Sequence, residues 1–301
     1  MVLISGLSVF HTTCERVIVS ALQASQVQED RLSQKNFDRL ARYIYDYSGI
    51  KMPPGKRTML EGRLRRRLRV TGFAYLDEYC DYLFKHDGLD SEAIHLMDAV
   101  TTNKTDFFRE PKHFEHMLAH AMPMLVSEGY SNLRIWSAAC SIGAEPYTIA
   151  MVAENFLSAN RGVDYSILAT DLSTEVLRVA RRGIYPTSMI EPVDAGYQKA
   201  FVMQSRDPER DEVRIHPRLR SKVGFARLNL MDDRYNVGDK VQIVFCRNVL
   251  IYFDKPTQQK VLRRLCDNLV SGGFLYVGHS ETITGLDLPV KQVANTVFKR
   301  L

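Results

Sequence analysis

The stretch Arg134-Ile-Trp-Ser-Ala-Ala-Cys-Ser-Ile-Gly-Ala-Glu-Pro-Tyr-Thr-Ile-Ala150 decides the fold of this chain. Its pattern predicts a short buried strand, a tight turn with one glycine, and then a helix. An α/β domain brings a small ligand to the carboxyl end of its first strand in this way. Many α/β proteins carry a strand–glycine–helix junction for structural reasons alone. The stretch by itself therefore leaves both a ligand site and a plain turn open.

The turn does not carry a dinucleotide-binding fingerprint. A pyrophosphate needs several glycines so that backbone N–H groups can close around it, and this turn has only Gly143, with Glu145 two residues later. One glycine and a carboxylate suit a ligand that has no phosphates and carries a cationic amino group. S-adenosylmethionine (SAM) is such a ligand, whereas an NAD-dependent oxidoreductase is a poor interpretation.

The composition indicates a soluble globular protein of about two domains, with 301 residues, 45% hydrophobic and 25% charged. Five scattered cysteines form no CxxC pair and no metal-ligand spacing, so we predict a reducing compartment and no metal site. No apolar run approaches a membrane span of ~20 residues, and no signal peptide is recognisable. We expect a cytoplasmic monomer without membrane insertion.

Positive charge is concentrated in one segment. Residues 51–70 hold eight basic residues against Glu61, in a chain whose net charge is +5, so the remainder is slightly acidic. A local patch of this kind speaks to the charge of a partner, or it is simply a solvated helix face.

The pattern along the chain predicts three regions: a poorly specified extension over 1–30, a helical domain with a linker over 31–110, and an α/β domain over 111–301. In the helical domain, Ser33 is a predicted helix cap and Gly49 a predicted stop. Leu60, Leu64 and Leu68 form the buried face of a second helix, which Gly72 is predicted to end. Strands alternating with helices then predict a parallel sheet covered on both faces. The proline-rich residues 187–222 interrupt this alternation and predict a small inserted β-subdomain. Strands are predicted at 133–137, 165–170, 223–230, 241–245 and 273–277, with an edge strand at 292–298. A helix is predicted around 111–126, directly after the linker.

Polar side chains follow several of these strands, where ligands bind in open α/β sheets. Asp171 would accept two ribose hydroxyls or cap the next helix. Asn229 and Leu230 end the third strand. Arg247-Asn248, with Tyr252 shortly after, follow the fourth. The structural alternative makes Arg247 a surface ion-pair partner and Tyr252 a core residue.

Four segments together resemble the CheR family of chemotaxis receptor glutamate O-methyltransferases. They are Thr101-Thr-Asn-Lys-Thr-Asp-Phe-Phe-Arg-Glu110, Ser137-Ala-Ala-Cys-Ser-Ile-Gly-Ala-Glu-Pro-Tyr147, Ala169-Thr-Asp171 and Arg247-Asn-Val-Leu-Ile-Tyr-Phe253. The resemblance covers residues 31–301. It implies a SAM-dependent methyltransferase (Rossmann-like) sheet with an N-terminal all-helical domain and a small inserted β-subdomain.

The resemblance also implies roles for individual residues. Glu145 would hold the methionine amino group and Asp171 the ribose hydroxyls, while Arg109 and Tyr252 would stand nearest the transferred methyl. The family often has a second acid where this chain has Ala144. The further cofactor contacts implied are Asn103, Thr105, Gly143, Asn229, Leu230, Arg247 and Asn248.

The implied reaction gives glutamate methyl esters and S-adenosylhomocysteine (SAH). A glutamate side chain, with a pKa near 4.3, is already an anion at neutral pH and needs no general base. We therefore expect Arg109 to position the acceptor carboxylate.

The partner implied is the cytoplasmic helical domain of chemoreceptors, met by Arg63, Arg66 and Arg69, with a receptor C-terminal tail peptide as a further candidate at the β-subdomain. A nucleic-acid methyltransferase is the first rival, but the site aromatics form no obvious base-stacking platform, so we expect no nucleic acid. A signalling or scaffold protein that binds SAM without turnover is the second rival, because the turn lacks its first acid.

Overall fold

A computed structural model describes residues 30–301 of the chain. Residues 1–29, nearly all of the predicted extension, lie outside this range. No helix within residues 30–301 is long and apolar enough to cross a membrane.

The first described region is entirely helical, as predicted. Its helices are α1 (Gln34–Ser48), α2 (Arg57–Thr71), α3 (Leu76–Lys85) and α4 (Leu89–Val100), with a 3₁₀ turn at Pro54–Lys56. The hydroxyl of Ser33 accepts the Asn36 N–H at 3.3 Å and caps α1. Gly49 and Gly72 end α1 and α2 with φ of 72° and 81°, a left-handed conformation that glycine adopts without steric cost. The predicted cap and stops are thus confirmed.

Apolar side chains at helical spacing join these helices into one core. Phe37, Leu40 and Ile44 of α1 belong to the same buried cluster as the leucine stripe of α2. The opposite face of α2 carries Arg66 and Arg69, because the 3.6-residue period places them away from Leu60, Leu64 and Leu68. Arg67 lies beside the leucines instead and pairs with Glu92.

The second region is built on a seven-stranded sheet. Its strand order is β6-β2-β1-β7-β8-β10-β9. The first five strands in this order pair in parallel, and β10 and β9 add antiparallel pairs at one side. Two apolar clusters cover the two faces of the sheet, which confirms the predicted doubly covered α/β architecture. The strands are β1 (Asn132–Ala138), β2 (Asp164–Asp171), β6 (Val223–Arg227), β7 (Val241–Cys246), β8 (Leu269–Val277), β9 (Val290–Ala294) and β10 (Val297–Arg300).

Two helices, α5 (Lys112–His116) and α6 (Met122–Ser127), precede β1. The helices between the parallel strands are α7 (Ala144–Ala159), α8 (Thr174–Arg182) and α11 (Lys255–Asp267). Helix α7 leads from β1 to β2 and α8 follows β2, so the start of each helix lies where ligands bind in this type of sheet.

The inserted β-subdomain is present between α8 and β6. Its three short antiparallel strands are β3 (Ile184–Pro186), β4 (Val202–Gln204) and β5 (Glu212–Ile215), in the order β3-β5-β4. Short helices α9 (Ala195–Phe201) and α10 (Pro217–Arg220) accompany them.

Three element predictions were wrong in detail. The 292–298 segment forms two strands joined at Asn295–Thr296, because Thr296 takes a φ of 53° and turns the chain back. The third strand ends at Arg227 instead of Leu230. The helix predicted near 111–126 carries a π-helical turn over Met117–Ala121, directly before Pro123 at the start of α6.

Candidate active site

A cavity of about 1000 Å³, including its open mouth, lies at the carboxyl ends of β1, β2 and β7. The loops after these three strands form its floor and sides, and the linker over 101–109 forms another wall. This is the switch point of the sheet, where β1 has β2 on one side and β7 on the other.

The turn after β1 is held in an unusual backbone conformation. Ala139, Ser141 and Gly143 have φ of 63°, 51° and 94°, so three of its five residues are left-handed. A Cβ on Gly143 would stand 2.9 Å from the Cβ of Ala180 in α8, too close for any side chain. Gly143 is therefore required by helix packing and by its φ, and backbone strain of this kind concentrates at functional sites.

Asp171 fastens this turn to the end of β2. Its Oδ2 accepts the Ser141 N–H at 2.8 Å and its Oδ1 accepts the Ser173 N–H at 2.9 Å. The N-cap of α8 is Ser173, not Asp171. Burial raises the pKa of Asp171 above its usual range, and the backbone N–H groups oppose that shift. Asp171 lines the cavity, and a carboxylate oxygen can accept more than the one bond recorded for each.

Arg247 is the electrostatic centre of the site. Its side chain is only 1% exposed and lies between two carboxylates, with Nη2 3.2 Å from Glu110 Oε2 and Nη1 3.4 Å from Glu145 Oε2. The ring centroid of Phe114 lies 5.2 Å from its guanidinium carbon. Nε and Nη1 of Arg247 have no hydrogen-bond partner within residues 30–301. The guanidinium is thus buried between two carboxylates beside the cavity, and its role is not that of a surface ion-pair residue.

The two carboxylates beside Arg247 respond differently to burial. Burial raises the pKa of Glu145, against the opposing effects of Arg247 and of the Ser137 hydroxyl, which donates to Oε1 at 2.7 Å. Burial also acts to raise the pKa of Glu110, but the Asn248 amide and Arg247 together bring it below its usual value. The charge on Glu110 is thus the better compensated of the two.

The loop after β7 is held by two acids that the sequence reasoning did not select. Glu110 Oε1 accepts from Nδ2 of Asn248 at 3.1 Å. Glu281 accepts the backbone N–H groups of Gly278, Asn248 and Leu250 at 2.6, 2.9 and 2.7 Å. These bonds hold Asn248 at a φ of 59° beside the cavity. Glu110 ended one of the motifs and gave a signal, whereas nothing local marked Glu281.

The linker supplies side chains at the mouth. Asn103, Thr105 and Arg109 line the cavity, and Tyr252, which follows β7, lines it as well. Arg109 is half-buried and donates from Nη1 to the Lys104 carbonyl at 3.3 Å. The Asn103 carbonyl accepts from the Ser141 hydroxyl at 2.8 Å, which ties the linker to the strained turn.

Most of the predicted cofactor residues meet in this one cavity. The described wall contains Asn103, Thr105, Arg109, Glu145, Asp171, Leu230, Arg247, Asn248 and Tyr252. It does not contain Gly143 or Asn229. The Asn229 amide instead donates to the Tyr47 carbonyl of α1 at 2.6 Å, so it joins the two regions of the chain.

The helical region also contributes to the wall, through Ser48 and Ile50, which the sequence reasoning missed. They follow α1 and carry no motif. Ser48 is buried at the end of α1, where Tyr47 contacts the loop of Asn229. No local sequence pattern indicates this contact between the two regions.

The predicted basic residues divide into two kinds. Arg63 donates to the carbonyls of Val100 and Thr101 and to the Thr102 hydroxyl, so it holds the start of the linker. Arg66 and Arg69 are exposed, and neither forms an ion pair within the described part of the chain.

The fold and the cavity together define a class of protein. The guanidinium of Arg247 and the carboxylate of Glu145 complement the carboxylate and ammonium of an amino acid, and Asp171 can accept from vicinal hydroxyls. The described turn after β1 has one glycine where a pyrophosphate site needs several. These residues fit SAM, and the class is that of SAM-dependent methyltransferases.

Comparison with known proteins narrows the class. Residues 103–299 match the family described as CheR methyltransferase, SAM binding domain, and residues 35–101 match CheR methyltransferase, all-alpha domain. The chain belongs to the CheR methyltransferase family and uses SAM as its cofactor.

Curated relatives match over nearly their whole length. A chemotaxis protein methyltransferase of Borreliella burgdorferi is 38% identical over 259 residues, which are 84% of this chain and 90% of the relative. That of Salmonella typhimurium is 38% identical over 269 residues, 89% of this chain and 90% of the relative. That of Escherichia coli is 37% identical over 269 residues, 89% and 91% of the two chains. Among solved structures, a glycopeptide N-methyltransferase with SAM reaches a TM-score of 0.35 at 11% identity over 66% of this chain and 61% of its own, too distant a likeness to carry an argument.

Proposed function

We propose that this methyltransferase esterifies glutamate side chains of chemoreceptors, giving glutamate methyl esters and SAH. The observation that carries the proposal is the chemistry of the cavity wall. None of the described residues that line it is a histidine, and its one cysteine, Cys140, has a pKa raised well above the usual range by burial. A carboxylate acceptor suits such a site because it is already ionised at neutral pH.

The side chains at the mouth have a positioning task in this proposal. SAM supplies an electrophilic methyl group on a sulfonium. Arg109, half-buried and held by one bond to a carbonyl, has further N–H donors with which to hold one oxygen of the acceptor. Tyr252 faces the same mouth, and its ring centroid lies 5.5 Å from the Lys56 ammonium. Orientation of this kind contributes up to ~7–11 kcal/mol of barrier reduction in favourable cases.

The exposed basic face of α2 serves this proposal as the surface that meets an acidic, helical, cytoplasmic receptor region. Arg66 and Arg69 are its contact residues, since they are exposed and without ion pairs in the described range. Arg63 contributes to this surface indirectly, because it holds the start of the linker. A receptor tail peptide at the β-subdomain extends the proposal, because β3 and β4 are the edge strands of the small sheet.

The experiment is transfer of labelled methyl groups from SAM to receptor-containing membranes, followed by alkaline release of the volatile product. Methyl esters are base-labile, whereas methylated amines and bases are not. We expect label in the receptor, loss of most transfer in Arg109→Ala, and retained SAH binding by calorimetry in that variant.

Arg161→Ala is the matched control, because Arg161 is an exposed arginine on the loop after α7 and away from the cavity. Base-stable label, label in added RNA or DNA, or full activity of Arg109→Ala would contradict the proposal. SAH binding without any transfer would instead favour a SAM-binding protein without turnover.

A further inference from the structure

Three side chains from separate segments meet behind the cavity wall. Glu110 follows the linker, His113 lies in α5, and His279 follows β8, and one ligand atom from each lies within 4.8 Å of the others. We propose that these residues form a binding site for a divalent transition-metal ion such as Zn²⁺.

The hydrogen bonds of His113 fix which of its nitrogens is available. The Thr296 hydroxyl donates to the Asn295 carbonyl at 2.8 Å, so its proton is already committed. Its oxygen lies 2.8 Å from His113 Nε2 and must accept from that nitrogen. In a neutral imidazole the other nitrogen, Nδ1, then carries a lone pair and no proton.

That lone pair lacks a partner. His113 is 1% exposed, and its Nδ1 has no hydrogen-bond partner within residues 30–301. The nearest carboxylate oxygen, Glu110 Oε2, lies 3.5 Å from Nδ1 and is also an electron-pair donor. Two electron-pair donors facing each other in a buried space are unfavourable unless a cation lies between them.

A transition-metal ion supplies that cation with the chemistry these residues prefer. Histidine nitrogen and carboxylate oxygen are ordinary Zn²⁺ ligands. A metal-bound histidine also donates its second N–H to an oxygen acceptor, which fixes the ring, and His113 has this arrangement through Thr296. The orientation needed for a ligand is therefore built into the fold.

His279 completes the set from the surface. Its exposed ring lies 5.0 Å, centroid to centroid, from that of His113, and its backbone N–H donates to Glu110 Oε2 at 3.3 Å. Exposure of His279 gives an ion a route of entry. Three protein ligands leave a coordination position for water, as in open zinc sites.

The neighbouring guanidinium lowers the affinity expected for the metal ion. Arg247 lies 3.2 Å from the same Glu110 oxygen, and its positive charge disfavours a second cation, while Glu145 on its other side offsets part of that charge. We therefore expect weaker binding than at a closed structural zinc site.

A second histidine pair provides the competing explanation for any metal binding. His116 and His120 lie one helical turn apart with ring centroids at 5.1 Å. Nδ1 of His116 is paired with the Tyr276 hydroxyl at 3.0 Å, and no carboxylate completes a triad there among the described residues. His120→Gln is thus the matched control for His279→Gln.

The experiment titrates the untagged full chain, freed of metal with a chelator, with Co²⁺ by visible absorption and with Zn²⁺ by calorimetry. We expect one equivalent to bind, a loss of roughly 10-fold or more in affinity for His279→Gln, and no change for His120→Gln. Equal thermal unfolding midpoints of the variants and the unsubstituted chain in chelator would show that the fold is intact.

A measurement without substitution makes the result independent of the variants. Diethylpyrocarbonate modifies free imidazoles, and peptide mapping reports each histidine separately. We expect Zn²⁺ to protect His279 and to leave His86, another exposed histidine, as reactive as before. No bound ion, no protection of His279, or a loss of binding in His120→Gln alone would each overturn the proposal.

Discussion

Replacing Arg247 with methionine tests the electrostatic core of the site directly. Methionine keeps much of the side-chain volume and removes the charge, so the variant leaves Glu110 and Glu145 without their common counter-ion. Their side chains are 13% and 14% exposed, and that of Arg247 is 1% exposed. Removing one partner of a buried ion pair costs about 3–5 kcal/mol, because the remaining charge is buried without compensation.

The pH dependence has a defined sign. Burial already raises the pKa of Glu145 in the folded chain, and Arg247 acts against that rise. Without Arg247 the pKa rises further above that of an unfolded glutamate, about 4.3. A carboxyl whose pKa is raised by folding binds more protons in the folded state, so the folded state gains stability as pH falls. The deficit of Arg247→Met is therefore expected to be full near pH 7 and to shrink as the pH falls toward about 5.5.

The assay is urea unfolding of the full chain, followed by fluorescence and circular dichroism at both pH values. Arg263→Met is the control, because Arg263 pairs with Asp287 at the surface, with side chains 49% and 89% exposed. Such a pair contributes about 0–1 kcal/mol. A cost for Arg247→Met no larger than that of the control, or a deficit that grows as the pH falls, would refute this account of the site.

Three further outcomes follow from the geometry. Gly143→Ala should lower the free energy of unfolding in urea more than Gly129→Ala. Both glycines have a φ above 90°, which by itself costs about 1–3 kcal/mol for another residue, but only Gly143 has a neighbouring atom within 4 Å of the added Cβ. Equal costs would count against the close approach. Asp171→Asn should weaken SAH binding in calorimetry by roughly 10- to 100-fold, since two hydrogen bonds to a charged acceptor at about 1.5 kcal/mol each are altered, and an unchanged affinity would remove Asp171 from the cofactor site. Arg63→Ala should lower the free energy of unfolding by about 1–2 kcal/mol, because its bonds to the linker are lost. Arg66→Ala should change that free energy by no more than about 0.5 kcal/mol and should lower only receptor methylation. The reverse pattern would contradict the different roles given to these two arginines.

The sequence predicted those parts of the protein whose cause is local. The alternation of strands and helices follows from hydrophobic periodicity, and the ends of α1 and α2 follow from Gly49 and Gly72. The turn after β1 was located from one glycine at a strand end, since its positive φ is a local requirement, whereas the close approach of Ala180 that also requires glycine there is not local.

The remaining features depend on contacts between distant residues. Glu281 lies 33 residues after Asn248 and holds its backbone, so no spacing rule could associate them. Ser48 and Ile50 reach the cavity because α1 docks on the loop after β6, a packing event invisible to local patterns. The end of β6 at Arg227 was missed for a similar reason, since Leu228 bonds to the Asp171 carbonyl outside the regular ladder.

The assignment of the basic helix illustrates the same limit. The charge count treated Arg63 and Arg66 alike, since both lie on one polar helix. Only the folded chain separates an arginine that binds backbone carbonyls from one that faces solvent. Composition indicates that a surface is charged, and packing decides which of its charges remain available to a partner.

Ser48 and Ile50 of the helical region line the cavity together with Asp171 and Arg247 of the α/β region. The Thr174 N–H also donates to Asp98 at 2.9 Å, which joins the same two regions. Any small molecule enclosed there touches both halves of the chain at once. A molecule bound in the cavity would then hold the two regions together, and a separated α/β region would lack part of the cavity wall. Added SAH would then slow proteolytic cleavage near the linker.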